Sequence, residues 1–389
     1  MTDLPTYPLP RDPLRPLDPP PRYRELPAIT RVRIWDGSTP WLVTRYEEVN
    51  AALRDPRLSA DATAPGYPHV SASSARRAER VLPYSLRPDA DHRVQRQLLA
   101  PEFAPRRIAA LLPSIELTVE AALDSFLALP QPADLMADFA LPVAVTVVCD
   151  LLGAGHADRS RLHTLSRTIG SRTATPDQAA AALAEMDHYF QSLVASHPTL
   201  GLAGRISRHV RSGRLSAPDA AAMLQLLFFA GHGPTAYMIT SAVAALLGSA
   251  PARLAFVDVD HAVEELLRYI TVSHSARQRV ATADLVIGGH PIAAGEGVLI
   301  QLDSANRDPA VFAEPDVLSL ATPPRPHLAF AHGAHLCPGR LLARLELRAV
   351  FSSLARRSPD LRLAVPFHDL RFTEYENILG AEHLPVRWT

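Results

Sequence analysis

Cys337 lies in HLAFAHGAHLCPGRLLARLELRAVF, residues 327–351, where a glycine-punctuated loop passes through Pro338 and Gly339 directly into an amphipathic helix. A thiol at a helix N-terminus meets local positive potential and free backbone N–H groups, which favour the thiolate and suit it to bind a metal. The only other cysteine, Cys149, falls in the apolar run PVAVTVVCDLLGAG and reads as a small buried hydrophobe. With no second sulfur nearby, a metal at Cys337 must bring its remaining ligands with it. Haem does so, because the porphyrin supplies four nitrogens and leaves one axial position for the protein. Taken alone, the stretch also fits a free cysteine on a loop.

A second stretch bears on chemistry because it is out of place. AGHGPTA, residues 230–236, interrupts the apolar run between AAMLQLLFF and YMITSAVAALLG. Pro234 removes a backbone donor and crowds the carbonyl of Ala230, at about 3 kcal/mol in a helix interior. Either the helix ends there or the interruption has a use. Three further groups are candidates. Glu265 and Arg268 stand at i,i+3, which alone is an ordinary helix pair. His92 and Arg96 stand at i,i+4 on one helical face, which alone reads as solvated surface. Arg279 precedes a strand-like segment.

The elements that must position these residues are mostly helices. Apolar spacing predicts helices near 45–54, 91–99, 106–128, 139–153, 158–170, 176–196, 216–248, 260–269 and 339–357. Ser216 and Asp219 form a capping-box pattern at the start of the central helix, with Pro218 in its first turn. Alternation around Asp36-Gly37 predicts an early hairpin, residues 284–300 a late one, and HLPVRWT a terminal strand. The chain reads as mainly α with small β-sheets. Residues 1–28 are proline-rich and are expected to form an extended arm, lying on the body or mobile. Residues 29–389 are expected to form a single catalytic domain.

The cysteine loop resembles the haem-binding loop of the cytochrome P450 family, whose pattern is Phe-Gly-x-Gly-x-His-x-Cys-x-Gly. The chain has Phe330, Ala331, Gly333, His335, Cys337 and Gly339, departing only at Ala331. The resemblance implies a triangular, prism-like helical body with haem b, iron protoporphyrin IX, between the long central helix and the cysteine loop. It makes Cys337 the catalytic centre's iron ligand, packs Phe330 near the thiolate, and includes Gly339 in the cofactor-binding turn. It also gives His92, Arg96, Arg279 and His335 to the haem propionates, which on leaving water need cationic or hydrogen-bonding partners. Glu265 and Arg268 become the family's structural pair. In SLATPPRPHLAF an arginine common in the family is missing, so a rebuilt ion-pair network is expected there.

The resemblance also gives the interruption a meaning. In this family the middle of the central helix carries Ala-Gly-x-Glu/Asp-Thr-Thr, in which the acid and first threonine pass protons during oxygen activation. Here Ala230-Gly231-His232 match in register, which places Gly233 at the acid and Pro234 at the threonine. Family members that use peroxide on fatty acids also have proline, but preceded by arginine rather than glycine. The implied function is oxidation of a specialised metabolite, a modified peptide or polyketide, with substrate-assisted proton delivery. Oxidative decarboxylation, aryl coupling, peroxide-driven oxidation and non-catalytic haem binding are the alternatives. The implied pocket takes in Ala230, Gly233, Pro234, Ile270, Val272, Ile378 and Leu379, with the loop near residues 60–85. On this reading the glycines open a groove and Pro234 kinks the helix. The implied electron donor is a ferredoxin meeting Arg93, Arg106, Arg107, Arg340, Arg344 and Arg348.

Bulk composition narrows the classes. Basic and acidic residues balance, 39 against 40, and every basic side chain is arginine, so there is no net-charge footprint of a nucleic-acid binder. No run reaches the roughly 18 apolar residues of a membrane span, and the N-terminus lacks a signal peptide's apolar core. A monomeric, cytoplasmic protein binding neither membrane nor nucleic acid is expected.

Overall fold

The computed structural model describes residues 4–78, 84–170, 174–248, 258–320, 325–373 and 378–388. Its principal helices are α1 (Tyr46–Arg54), α2 (Asp89–Leu99), α3 (Leu112–Leu127), α4 (Leu141–Leu152), α5 (His156–Gly170), α6 (Pro176–Ala195), α7 (Gly201–Arg211), α8 (Ala217–Gly248), α9 (Val259–Ile270) and α10 (Arg340–Arg357). The strands are β1 (Ile29–Arg31), β2 (Trp41–Val43), β3 (Leu58–Ser59), β4 (Ala133–Asp134), β5 (Arg277–Ala281), β6 (Leu285–Ile287), β7 (His290–Ile292), β8 (Gly297–Ile300), β9 (Arg362–Leu363) and β10 (Pro385–Arg387). The main apolar core surrounds α8, whose faces pack against α4, α6, α9 and α10. A five-stranded sheet in the order β1-β2-β8-β5-β3 covers one side, with β2 and β8 parallel and the other pairs antiparallel.

Two expectations are corrected. The helix expected over 106–128 is broken into Pro105–Ala109 and α3. Pro113 has no amide to give to the carbonyl four residues back, so the helix restarts with the proline in its first turn, where the missing donor does no harm. The late hairpin is also shorter than 284–300. β6 and β7 form it around Gly288 and Gly289, both at positive φ, while β8 leaves it to pair with β2 and β5. Helix α7 was not expected, because glycine and proline surround its start. Gly201 is there at φ +61°, and a Cβ on it would come within 2.4 Å of Gly153 Cα at the end of α4.

The N-terminal segment packs against the body through buried Tyr7, Leu9, Leu17 and Tyr23. The Tyr7 amide donates to Arg33 O at 2.8 Å, and its hydroxyl accepts from the Ala276 amide at 2.8 Å, just before β5. Asp18 and Asp316 pair with Arg307, whose side chain is almost fully enclosed and lies 3.6 Å from the Tyr269 ring centroid.

Buried Glu265 and Arg268 on α9 make a two-pronged ion pair, Nε to Oε2 and Nη2 to Oε1, each 2.7 Å. Arg268 Nη1 also donates to the carbonyls of Asn306 and Pro315, each at 3.0 Å. In the stretch where the family arginine is missing, the backbone N–H of Ser319 donates to Glu265 Oε1 at 3.1 Å. Residues 321–324 of that stretch lie outside the described residues.

Candidate active site

Short-range hydrogen bonds fix the cysteine loop. The Ala331 amide donates to Leu328 O at 2.8 Å, and the Cys337 amide returns to Phe330 O at 3.0 Å, folding the loop back on itself. Asn306 joins it to α9, accepting from the Leu328 amide and donating to Thr271 Oγ1, both at 2.7 Å. His332 Nδ1 and Asn50 Oδ1, 2.6 Å apart, join it to α1. Gly333 has φ +71°, and a Cβ there would lie 2.3 Å from Leu53 O, so the position requires glycine. Ala331, the departure from the family pattern, keeps the turn by taking φ +58° itself. An L-residue with a side chain pays about 1–2 kcal/mol for that region. Ala331→Gly is therefore expected to stabilise the protein by about 0.5–1 kcal/mol, after the entropy of the unfolded glycine is deducted. A rise in the denaturant midpoint would show it; a fall would mean that the methyl contact with the cluster around Leu53 and Leu328 outweighs the strain.

Burial pushes the Cys337 thiol up, while the Gly339 N–H and the guanidinium groups of Arg277, Arg96 and Arg340 act to lower it. Beside the thiol, the rings of His92 and His335 stack with centroids 4.0 Å apart and planes 12° apart, and Tyr84 stacks on the other face of His92. Burial, then Arg279, His92 and Arg96, push His335 down to about 2; burial and Arg96 also lower His92. Arg96 Nη2 donates to Leu336 O at 2.5 Å, and Arg279, buried and lowered to about 10 by desolvation, donates to Gln278 O at 2.7 Å. Among the described residues neither guanidinium has a carboxylate within ion-pair distance. Buried cations without counter-ions are costly. Two propionates would supply the missing charge, so the donor set fits haem. Among the described residues no cluster of three or more His, Cys, Asp or Glu side chains could by itself hold a metal ion.

Behind the loop, Arg344 lies over the Phe330 ring, 4.7 Å from its centroid. Glu264 grips that guanidinium with both oxygens, at 2.5 and 2.8 Å, and faces His327 Nε2 at 3.2 Å. Burial would raise this carboxyl, but Arg344 and His327 hold it down at about 2. Of the arginines expected on this face, Arg344, Arg348 and Arg107 are thus engaged, by Glu264, Asp260 and Glu102. Arg93 and Arg106 are exposed, and Arg340 reaches only Cys337 O, at 3.4 Å.

Helix α8 runs unbroken through Pro234, so the proline does not end it. Its surroundings separate its residues sharply. Leu226, Phe229, Ala230, Gly233, Pro234 and Tyr237, spaced as one helical stripe, keep open surface, as do Gln225 and Gly231 beside it. A Cβ on Gly233 would meet nothing within 4 Å, but one on Gly231 would meet Val148 Cγ2 at 2.6 Å. Only Gly233 opens the groove; Gly231 permits the close approach of α4. His232 turns away from the stripe, with Nε2 2.5 Å from Ser166 Oγ on α5 and Nδ1 2.6 Å from Phe228 O. Burial pushes it down to about 4. Thr235 is also turned away, its hydroxyl donating to Gly231 O at 2.9 Å.

The remaining pocket candidates fall into two groups. Val272 and Ile378 are half-buried, and the Leu379 amide donates to Val272 O at 2.7 Å, joining two distant segments into one wall. Ile270 and Leu379 are each only 1% exposed and face the core. Residues 79–83 of the expected loop wall lie outside the described residues. The sequence reading missed Arg277, although it stands two residues from Arg279 in β5 and strand alternation puts both on one face. It also missed Tyr237, one turn beyond Pro234 on the open stripe.

Comparison with known proteins agrees with this geometry. Residues 259–357 match the family described as Cytochrome P450. The chain is 40% identical to Cytochrome P450 GfsF of Streptomyces halstedii over 99% of its own length and 97% of that protein's. The crystal structure of GfsF superposes with a TM-score of 0.95, covering 99% of this chain and 100% of that one at 37% identity. A further relative, the 20-oxo-5-O-mycaminosyltylactone 23-monooxygenase of Streptomyces fradiae, is 38% identical over 96% of this chain and 90% of its own.

Proposed function

The chain belongs to the cytochrome P450 family and is an oxidoreductase of the monooxygenase type, and on that premise we propose that it oxidises a specialised metabolite, a modified peptide or polyketide, which itself completes the proton path. We assign haem b as the cofactor, with Cys337 as its axial ligand and Arg96, Arg279, His92 and His335 around its propionates. When bound, the haem supplies dioxygen activation with electrons from outside the chain. Phe330, under Arg344, would shield the thiolate, and the Gly339 N–H would donate to it. A ferredoxin-type donor would use Arg93, Arg106 and Arg340, the proximal arginines not engaged by acids among the described residues. No helix among the described residues is long and apolar enough to cross a membrane. A monomeric cytoplasmic enzyme, with an arm over residues 1–28 and one catalytic domain over 29–389, belongs to the same proposal.

The observation that carries the proton assignment is the open stripe of α8. A positioned proton donor contributes typically 10²–10⁴-fold in rate, yet Gly233 and Pro234 offer neither acid nor hydroxyl. His232 is enclosed with both ring nitrogens engaged, and the Thr235 hydroxyl is committed to Gly231 O. What the stripe offers is an acceptor. Pro234 has no amide for the carbonyl of Ala230, a residue with open surface, so that oxygen can hold a substrate hydroxyl or a water in place.

The test is the double variant Gly233→Glu/Pro234→Thr, which restores the acid and alcohol where a new Cβ at 233 has room. Turnover of the native substrate is expected to stay within about twofold of the parent or to fall, since the substrate's own group already does the work. A rise of tenfold or more would overturn substrate assistance. The missing relay also favours peroxide-driven oxidation as a second reading; product formed with peroxide alone, faster than with dioxygen and a ferredoxin system, would establish it.

A further inference from the structure

We propose that Arg277 anchors a carboxylate of the substrate, an inference that deepens the haem-thiolate reading above and rests on it. Arg277 and Arg279 lie on one face of β5, but their surroundings differ. Arg279 belongs with His335 and His92, and the carboxylate acting on it is Asp89. Arg277 is half-buried and acts on both Cys337 and His335. It is also tied to the segment that leads into the pocket wall, donating from Nη2 to Ser273 Oγ at 2.5 Å, one residue after Val272.

Charge matching separates the two arginines further. Arg96 and Arg279, which act on His92 and His335, would meet the two propionates. Among the described residues Arg277 makes no ion pair, and the anionic groups acting on it are the Cys337 thiolate and the phenols of Tyr67 and Tyr7. A half-buried guanidinium beside an apolar wall, holding one hydroxyl and no acid, is a site for an anion. A substrate carboxylate held there would lie between β5 and the wall at Val272. It would also bring to the pocket an acid that α8 lacks.

The experiment uses the intact holoprotein and a series of ω-(imidazol-1-yl)alkanoic acids of graded chain length with their methyl esters. Each is titrated by the Soret difference spectrum that nitrogen ligation produces. At the best chain length the acid is expected to bind at least tenfold more tightly than its ester. Arg277→Gln is expected to abolish that preference while leaving ester affinity unchanged; Arg277→Lys is expected to keep part of it. Equal binding of acid and ester by the parent, or a preference that survives in Arg277→Gln, would overturn the proposal. So would haem transfer from Arg277→Gln to apomyoglobin as fast as from Arg279→Gln, which would make Arg277 a propionate ligand. If Arg277→Gln does not fold, Arg277→Lys decides: a preference unchanged from the parent in position and size along the series overturns the proposal, and a reduced or shifted one supports it. A parent spectrum without thiolate character would instead overturn the haem-thiolate reading itself.

Discussion

Arg268→Ala is expected to cost about 3–5 kcal/mol, the penalty for breaking a buried ion pair by removing one partner. The Glu265 carboxylate would remain enclosed, with only the Ser319 amide still donating to it, and the carbonyls of Asn306 and Pro315 would each lose a donor. Domains of this kind are stable by only about 5–15 kcal/mol, so the loss is a large share of the whole. Its effect should reach the site. Asn306 holds both the Leu328 amide at the start of the cysteine loop and the Thr271 hydroxyl at the end of α9. Haem retention should therefore fall together with the urea midpoint. Replacing both partners by apolar residues of similar volume, Glu265→Leu with Arg268→Met, should recover much of the stability, because no charge is then left unpaired. A shift below about 1 kcal/mol for Arg268→Ala would mean that water replaces the guanidinium.

Cys337→Ser is expected to abolish monooxygenase turnover and to remove the thiolate-type carbon monoxide band completely. The exchange changes one atom of the side chain, and the loop's own supports are backbone bonds or come from elsewhere: Cys337 N to Phe330 O, Ala331 N to Leu328 O, and the Asn306 and His332 contacts. Helix content and the apoprotein's unfolding midpoint should therefore stay close to the parent's. What is lost is electronic, a polarisable anionic sulfur whose charge the Gly339 N–H and Arg277, Arg96 and Arg340 support.

Much of the architecture was legible because it rests on periodicity. The apolar spacing of 217–248 dominates its neighbours, so the central helix could be placed from sequence to within a residue. The cysteine loop was legible because its glycines stand at fixed offsets, and Gly333 has a steric reason to be there. The exceptions have physical causes. One proline inside an apolar run, Pro113, restarted a helix, whereas another, Pro234, did not end one, because packing on the other faces of α8 holds the helix together. Sequence could not tell Gly231 from Gly233, since the difference lies in whether α4 or open space meets each one. The ion pairs of Arg344, Arg348 and Arg107 join separate elements and have no sequence signature. Arg277 has no place in the family pattern, which marks Arg279 alone, although strand alternation puts the two on one face.

Cys337 is proposed to hold haem through a thiolate, in a pocket where, among the described residues, buried Arg279 and half-buried Arg96 have no carboxylate within ion-pair distance. The carbon monoxide difference spectrum of the dithionite-reduced, purified protein tests it most directly. Thiolate ligation gives a strongly red-shifted Soret band, expected in the parent and absent from Cys337→Ser. A band at the position given by histidine-ligated haem in the parent, or a parent band that persists in Cys337→Ser, would contradict it.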